Sequence, residues 1–212
     1  MTTVLVFGDS NSHGTTPLEM LGQFGRYPRG TRWPDVMAAA LGPQVEVITE
    51  GLPGRTTVHD DPVEGGMRSG MAVLPAILHS HAPIDLMLIL LGTNDLKPRF
   101  SVTAHEIARS VERLGRVALA EGVVRDLILI APVPVTESGV LAEVFAGAEA
   151  TQVGLSGHIR DAATRLSAGF VEAGLHIAVS PTDGVHWEAE AHATFGAVMT
   201  EAVQARLAGQ PS

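Results

Sequence analysis

Four short apolar runs constrain this chain more than any other feature. They occupy residues 4–7, 45–49, 86–91 and 127–131, are rich in Val, Ile and Leu, and carry a single charged residue between them. Continuous runs of this length suit strands buried on both faces, as in a parallel sheet. A weaker fifth run lies at 175–179. Between the runs the pattern changes to a helical period, so helices are expected over 33–41, 71–79, 104–121, 152–173 and 189–207. The clearest is 104–121, with Ile107, Val111, Leu114 and Ala118 on one face. Gly122 and Gly174 stand where helix C-caps are expected. Strands alternating with helices predict an α/β protein: a three-layer αβα sandwich around a five-stranded parallel sheet. No repeat or linker interrupts the 212 residues, so a single domain over 1–212 is expected.

Charge and composition exclude several roles. The chain has 14 Lys and Arg against 23 Asp and Glu, a net charge of −9 with no basic cluster, which argues against nucleic-acid or anionic-membrane partners. It has no cysteine, so thiolate catalysis, disulfides and Cys-based zinc sites are excluded. No apolar run approaches the length of a membrane span, and no signal-peptide pattern opens the chain; a cytoplasmic location is expected. A Gly-x-Ser-x-Gly elbow, a Gly-x-Gly-x-x-Gly fingerprint after the first strand and a Walker A loop are all missing, against an α/β-hydrolase or a nucleotide-binding protein.

In an open parallel sheet, ligands bind beyond the carboxyl ends of the strands. Four segments at such ends hold the parts of an acyl-transfer site: Gly8-Asp9-Ser10, Gly51-Leu52-Pro53-Gly54, Gly92-Thr93-Asn94-Asp95 and Asp183-Gly184-Val185-His186. Ser10 is a candidate nucleophile and His186 its base. Asp183, three residues earlier, can reach the imidazole across one tight turn and fix its tautomer. The backbone N–H groups of Ser10 and Gly54 and the Asn94 amide are candidate oxyanion donors. Each block also has a plainer reading: a strand-ending turn, a helix N-cap at Asn94-Asp95, a loop acid at Asp183. Asp9 is expected to hold the turn by accepting backbone N–H groups, and Arg55 to form a structural ion pair with Glu50 or Asp95. Around the serine, Asn11 and His13 are candidate substrate contacts. Trp33, Phe100 and Trp187 are aromatic candidates for the pocket wall, each equally a candidate core residue. His79 and His81 suit a surface role better than metal binding, and no metal site is expected. Three irregular segments, 15–31, 52–68 and 132–151, are expected to shape the site.

The four blocks, in this order and spanning nearly the whole chain, resemble the SGNH (GDSL-type) hydrolases. A closer resemblance is to their arylesterase/acyltransferase, or perhydrolase-like, branch. It rests on Asp9-Ser10-Asn11-Ser12-His13-Gly14, Glu50-Gly51-Leu52-Pro53-Gly54-Arg55-Thr56-Thr57 and Leu91-Gly92-Thr93-Asn94-Asp95-Leu96-Lys97. The wider family usually has an aliphatic residue after the serine, where this chain has Asn11. The resemblance implies a flavodoxin-like sheet and an acyl-enzyme on Ser10 rather than Ser12, formed from short acetyl or aryl esters. It also implies transfer of the acyl group to water, an alcohol or peroxide, no cofactor, and a homo-oligomer. Carbohydrate acetylesterases, thioesterases and lysophospholipases share the same blocks, and a non-catalytic binding module on this fold is the rival from another class.

Overall fold

A computed structural model of the chain describes residues 1–209; the last three positions of the expected 1–212 domain lie outside the described residues. Five strands, β1 (Thr2–Gly8), β2 (Val45–Gly51), β3 (Leu86–Leu90), β4 (Leu127–Ala131) and β5 (Gly169–Glu172), form one parallel sheet in the order β2-β1-β3-β4-β5. This is the flavodoxin-like order. Among the described residues seven helices connect and cover it: α1 (Ser10–His13), α2 (Trp33–Leu41), α3 (Gly70–His81), α4 (Ala104–Ala120), α5 (Ala148–Thr151), α6 (Leu155–Leu166) and α7 (Ala189–Ala208). Among the described residues no helix is long and apolar enough to cross a membrane.

The continuous apolar runs divide cleanly between two cores. Val4, Val6, Leu86, Leu88, Ile128 and Ile130 face α2 and α7, where Trp33, Met37, Phe195 and Met199 meet them. Their neighbours Leu5, Phe7, Met87, Ile89, Leu127 and Leu129 face α3, α4 and α6. Strand side chains alternate between faces, so a sheet covered on both sides needs apolar residues at every position. Burying each such side chain contributes about 1.5–3 kcal/mol.

Helix α4 shows why the periodic segments hold. Thr103 and Glu106 close a reciprocal capping box, with Thr103 N donating to Glu106 Oε2 at 2.8 Å and Glu106 N donating to Thr103 Oγ1 at 3.2 Å. Ile107, Val111, Leu114 and Ala118 are buried as the period requires. Gly122, with φ 72°, follows the helix end as expected. Glu112 is also buried, and Arg165 of α6 donates to it at 2.7 Å, tying the two helices together.

The fifth strand corrects the sequence reading. Residues 175–179 form no strand: Ala173–Leu175 is a 3₁₀ turn and Leu175 is exposed. The strand is Gly169–Glu172, inside the segment expected to be helical over 152–173. Helix α6 begins only after Gly154 and ends at Leu166, where Ser167 takes a left-handed φ of 54° and turns the chain back to the sheet. A Cβ on Gly169 would lie 2.9 Å from Ile128 Cγ1, so the edge strand closes on β4 through a bare backbone. Gly174 accordingly sits within the 3₁₀ turn and caps no helix. Segments 15–31 and 52–68 hold no named helix or strand, whereas 132–151 contains a 3₁₀ turn, Gly139–Leu141, and α5.

Candidate active site

The order β2-β1-β3 reverses the direction of the crossovers at β1, which opens a crevice beyond the carboxyl ends of β1 and β3. Ser10 follows β1 and Asn94 follows β3, so the topology alone brings them to one place.

Ser10 opens α1, a four-residue helix not expected from sequence. Asp9 is its N-cap, its Oδ1 accepting Asn11 N at 2.9 Å, and Gly14 ends it at φ 84°. Asp9 thus holds the turn as expected. Burial lifts its carboxyl to about 6, against the opposing pull of the Asn11 N–H and the charges of His186 and Arg55. Ser12 is buried, and its Oγ has no hydrogen-bond partner among the described residues. That hydroxyl fills the space beside Gly8, where a Cβ would come within 2.1 Å of it. From the other side, a Cβ on Gly51 would lie 2.4 Å from His13 N, so the end of β2 presses directly on α1.

Arg55 fastens these ends. Its Nη1 donates to Gly8 O at 2.9 Å and also to Glu50 O, and its guanidinium lies 4.3 Å from the Phe7 ring centroid. The expected ion pair with Glu50 or Asp95 is not formed among the described residues: Nη1 is taken by the two backbone carbonyls, and the buried Nε has no partner. Asp95 instead accepts Thr57 N at 3.0 Å and Thr57 Oγ1 at 2.5 Å. Asn94 Nδ2 donates to Arg55 O at 3.1 Å. These bonds stitch the Gly54–Thr57 stretch to the Asn94 turn.

The last block arrives as a tight turn through Gly184, at φ 76°. His186 Nδ1 lies 2.6 Å from Asp183 Oδ2, which also accepts Leu18 N at 2.8 Å. Oδ1 accepts Val185 N and His186 N, each at 2.9 Å. Burial alone would raise the Asp183 carboxyl. The hydrogen bond and charge of His186, with the backbone N–H groups, outweigh it and hold the carboxyl below its ordinary range. An ionised Asp183 only accepts, so the Nδ1 proton belongs to the imidazole and Nε2 is left for the cavity.

Ser10, Gly54, Asn94 and His186 all line one cavity of about 520 Å³. His13 lines it too, its Nδ1 3.1 Å from Thr15 Oγ1; burial, then Arg26 and Arg32, lower its imidazole to about 4. The other expected substrate contacts lie elsewhere. Asn11 is buried and donates from Nδ2 to Val185 O at 3.2 Å, joining the serine turn to the histidine turn. Trp33 and Trp187 are core residues, each edge-on to Phe195. Phe100 stacks on His59 at 5.3 Å, away from the cavity.

Residues the sequence reading did not single out complete the wall. They include the apolar Leu18, Leu141, Val144 and Phe145 and the charged Arg26, Glu64, Arg68 and Lys97, with Lys97 Nζ 5.7 Å from the Phe145 ring centroid. Most lie in the segments 15–31, 52–68 and 132–151, whose irregularity was the available signal. Among the described residues no group of three or more His, Asp or Glu is placed to hold a metal ion. His79 and His81 pair separately with Glu121 and Glu50, each at 2.9 Å.

Comparison with known proteins follows the same lines. Residues 6–194 match the model of the GDSL-like lipase/acylhydrolase family. No curated protein sequence matches the chain. Among solved structures, Est24, a carbohydrate acetylesterase from Sinorhizobium meliloti, is similar with 34% identity and a TM-score of 0.92, over 97% of this chain and 100% of that one. The native aryl esterase of M. smegmatis is similar with 31% identity and a TM-score of 0.92, over 97% and 99%. A further carbohydrate acetylesterase family member from Sinorhizobium meliloti has 35% identity and a TM-score of 0.90, over 98% and 100%.

Proposed function

The chain belongs to the GDSL-like lipase/acylhydrolase family and is an ester hydrolase of it; from that premise we propose that it cleaves short acyl esters through an acyl-enzyme on Ser10. In this reading Ser10 Oγ attacks the ester carbonyl while His186 Nε2 takes its proton. Asp183 stabilises the imidazolium that forms. The Ser10 and Gly54 N–H groups and Asn94 Nδ2 receive the oxyanion. His186 then protonates the leaving alcohol, and water, delivered past the same histidine, releases the acid. An alcohol in place of water gives acyl transfer.

The observation that carries this reading is the 2.6 Å Asp183–His186 contact on the cavity that Ser10, Gly54 and Asn94 share. Its test compares wild type, Ser10→Ala and Ser12→Ala on p-nitrophenyl acetate. Only Ser10→Ala is expected to abolish turnover, and a phosphonate probe should label Ser10 alone. Equal turnover by all three proteins would overturn the assignment.

Deacetylation of an acetylated sugar is the second reading, favoured by the likeness to Est24; acetylated xylosides and glucosides set against phenyl acetate separate the two. A homo-oligomer is also proposed. Met20, Leu21 and Phe24, exposed together on the segment at the cavity rim, support it. Light scattering that returned the 22.2 kDa monomer mass would overturn it.

A further inference from the structure

Arg68 carries a charge that the chain leaves unspent at the cavity. Its main chain is pinned: Arg68 N donates to Asp60 Oδ1 at 3.0 Å and Arg68 O accepts Thr56 N at 3.0 Å. Its side chain is held by two carbonyls, Nη2 donating to Glu64 O at 3.0 Å and Nη1 to Met67 O at 3.3 Å. A guanidinium has five N–H donors. The buried Nε has no partner, and no carboxylate pairs with the guanidinium among the described residues. The nearby Glu64 carboxylate is taken by Lys97 at 2.5 Å and Arg99 at 3.2 Å. Arg68 Nε also lies 3.1 Å from where a Cβ on Gly54 would stand, so the cation sits beside a candidate oxyanion donor.

The rest of the wall has the same sign. Its ionised side chains are Arg26, Arg68, Lys97 and Glu64; Lys97 is paired with Glu64 at 2.5 Å and with the buried Asp61 at 3.6 Å, which leaves Arg26 and Arg68 without a carboxylate among the described residues, on a chain whose net charge is −9. A cationic recess in an acidic surface concentrates anions at its mouth. Leu18, Leu141 and Phe145 stand ready for an apolar body.

We propose that Arg68 is a specificity-determining residue that receives a carboxylate carried by the ester substrate. The inference rests on the esterase reading and deepens it: the preferred substrate is a short ester with an apolar body and one anionic end. Arginine suits this role because its planar fork matches a carboxylate.

Two ester pairs locate the anionic end. One is 4-acetoxybenzoate against its methyl ester, with the carboxylate on the leaving alcohol. The other is monophenyl succinate against phenyl methyl succinate, with the carboxylate on the acyl group. Each kcat/KM is divided by the ester's hydroxide-catalysed rate. Wild type is expected to favour the anionic member of one pair by about tenfold or more, the range of a charge-assisted hydrogen bond. Arg68→Gln should erase that ratio, chiefly through KM, and Arg68→Lys should keep only part of it, because an ammonium keeps the charge and loses the planar fork. Equal rates within both pairs, or a preference that survives in Arg68→Gln, would overturn the proposal. Calorimetry of the same esters on Ser10→Ala gives a readout free of turnover. If wild type hydrolyses none of the four esters the esterase reading fails, and carboxylate binding that depends on Arg68 still decides this proposal.

Discussion

Asp183 grips His186 twice: Oδ2 lies 2.6 Å from the ring Nδ1, and Oδ1 accepts the backbone N–H of the same residue at 2.9 Å. The carboxylate therefore fixes the imidazole relative to its own main chain, and Leu18 N holds Oδ2 from the far side. Orientation of the proposed base is built into a four-residue turn.

Asp183→Asn is expected to lower kcat on p-nitrophenyl acetate by about 10²–10⁴, because an amide donor facing Nδ1 favours the wrong tautomer. Steady-state kinetics beside a far-UV circular dichroism spectrum checks this. Loss of less than tenfold with the fold intact would place the orienting group elsewhere.

Asn94→Ala is expected to lower kcat by about 10²–10³ with little change in KM, since an oxyanion donor acts on the transition state. The lost bond to Arg55 O should cost only about 1 kcal/mol of stability. A rise in KM at constant kcat would assign Asn94 to ground-state binding.

Asp9→Asn tests the buried carboxyl of the serine turn. With the folded group lifted from 3.8 to about 6, the folded chain holds a proton between those values that the unfolded chain releases. The contribution of Asp9 to stability therefore falls as pH rises from about 4 to 6 and stays low above that. The asparagine variant, which keeps the acceptor for Asn11 N, should gain on wild type across this window by up to about 3 kcal/mol. Urea unfolding of both proteins at pH 4.5 and pH 7.5 measures it. A difference independent of pH would mean that Asp9 titrates alike in both states.

Gly51→Ala is expected to destabilise the fold by about 1–3 kcal/mol and to lower kcat together with it. Its Cβ would meet backbone atoms of His13, at 2.4 and 2.8 Å, and push α1 off the strand ends. Gly157→Ala in α6 is the control. A Cβ there meets nothing within 4 Å, and the variant should gain about 0.5–1 kcal/mol. Thermal melts and p-nitrophenyl acetate rates of the pair decide it.

Much of the molecule was legible because its physics is local. Strands buried on both faces must be apolar at every position, so β1, β3 and β4 announce themselves in four or five residues. Strand β5 does not, being a half-buried edge of four residues entered through Ser167 and Gly169. The Asp183–His186 pair was legible because only two residues lie between its members. Long-range placement was not. Trp187 adjoins His186 in sequence, yet its ring turns away into the α2–α7 core, and Asn11 adjoins Ser10 yet reaches across to Val185. Arg68 carries no local pattern at all, since its position at the cavity depends on how 52–68 folds back over Gly54.

The strand order also has a consequence for synthesis. β1 is made before the strands it pairs with, yet it lies inside the sheet, flanked by β2 and by β3, whose pairing residues begin at Leu86. Ser10 is made long before the turn that would activate it, which ends at residue 186. A nascent chain of this kind exposes an unpaired central strand for much of its elongation. It acquires its full apparatus only once residue 186 has left the ribosomal tunnel, so chains that stop short of that turn should be inert rather than partly active.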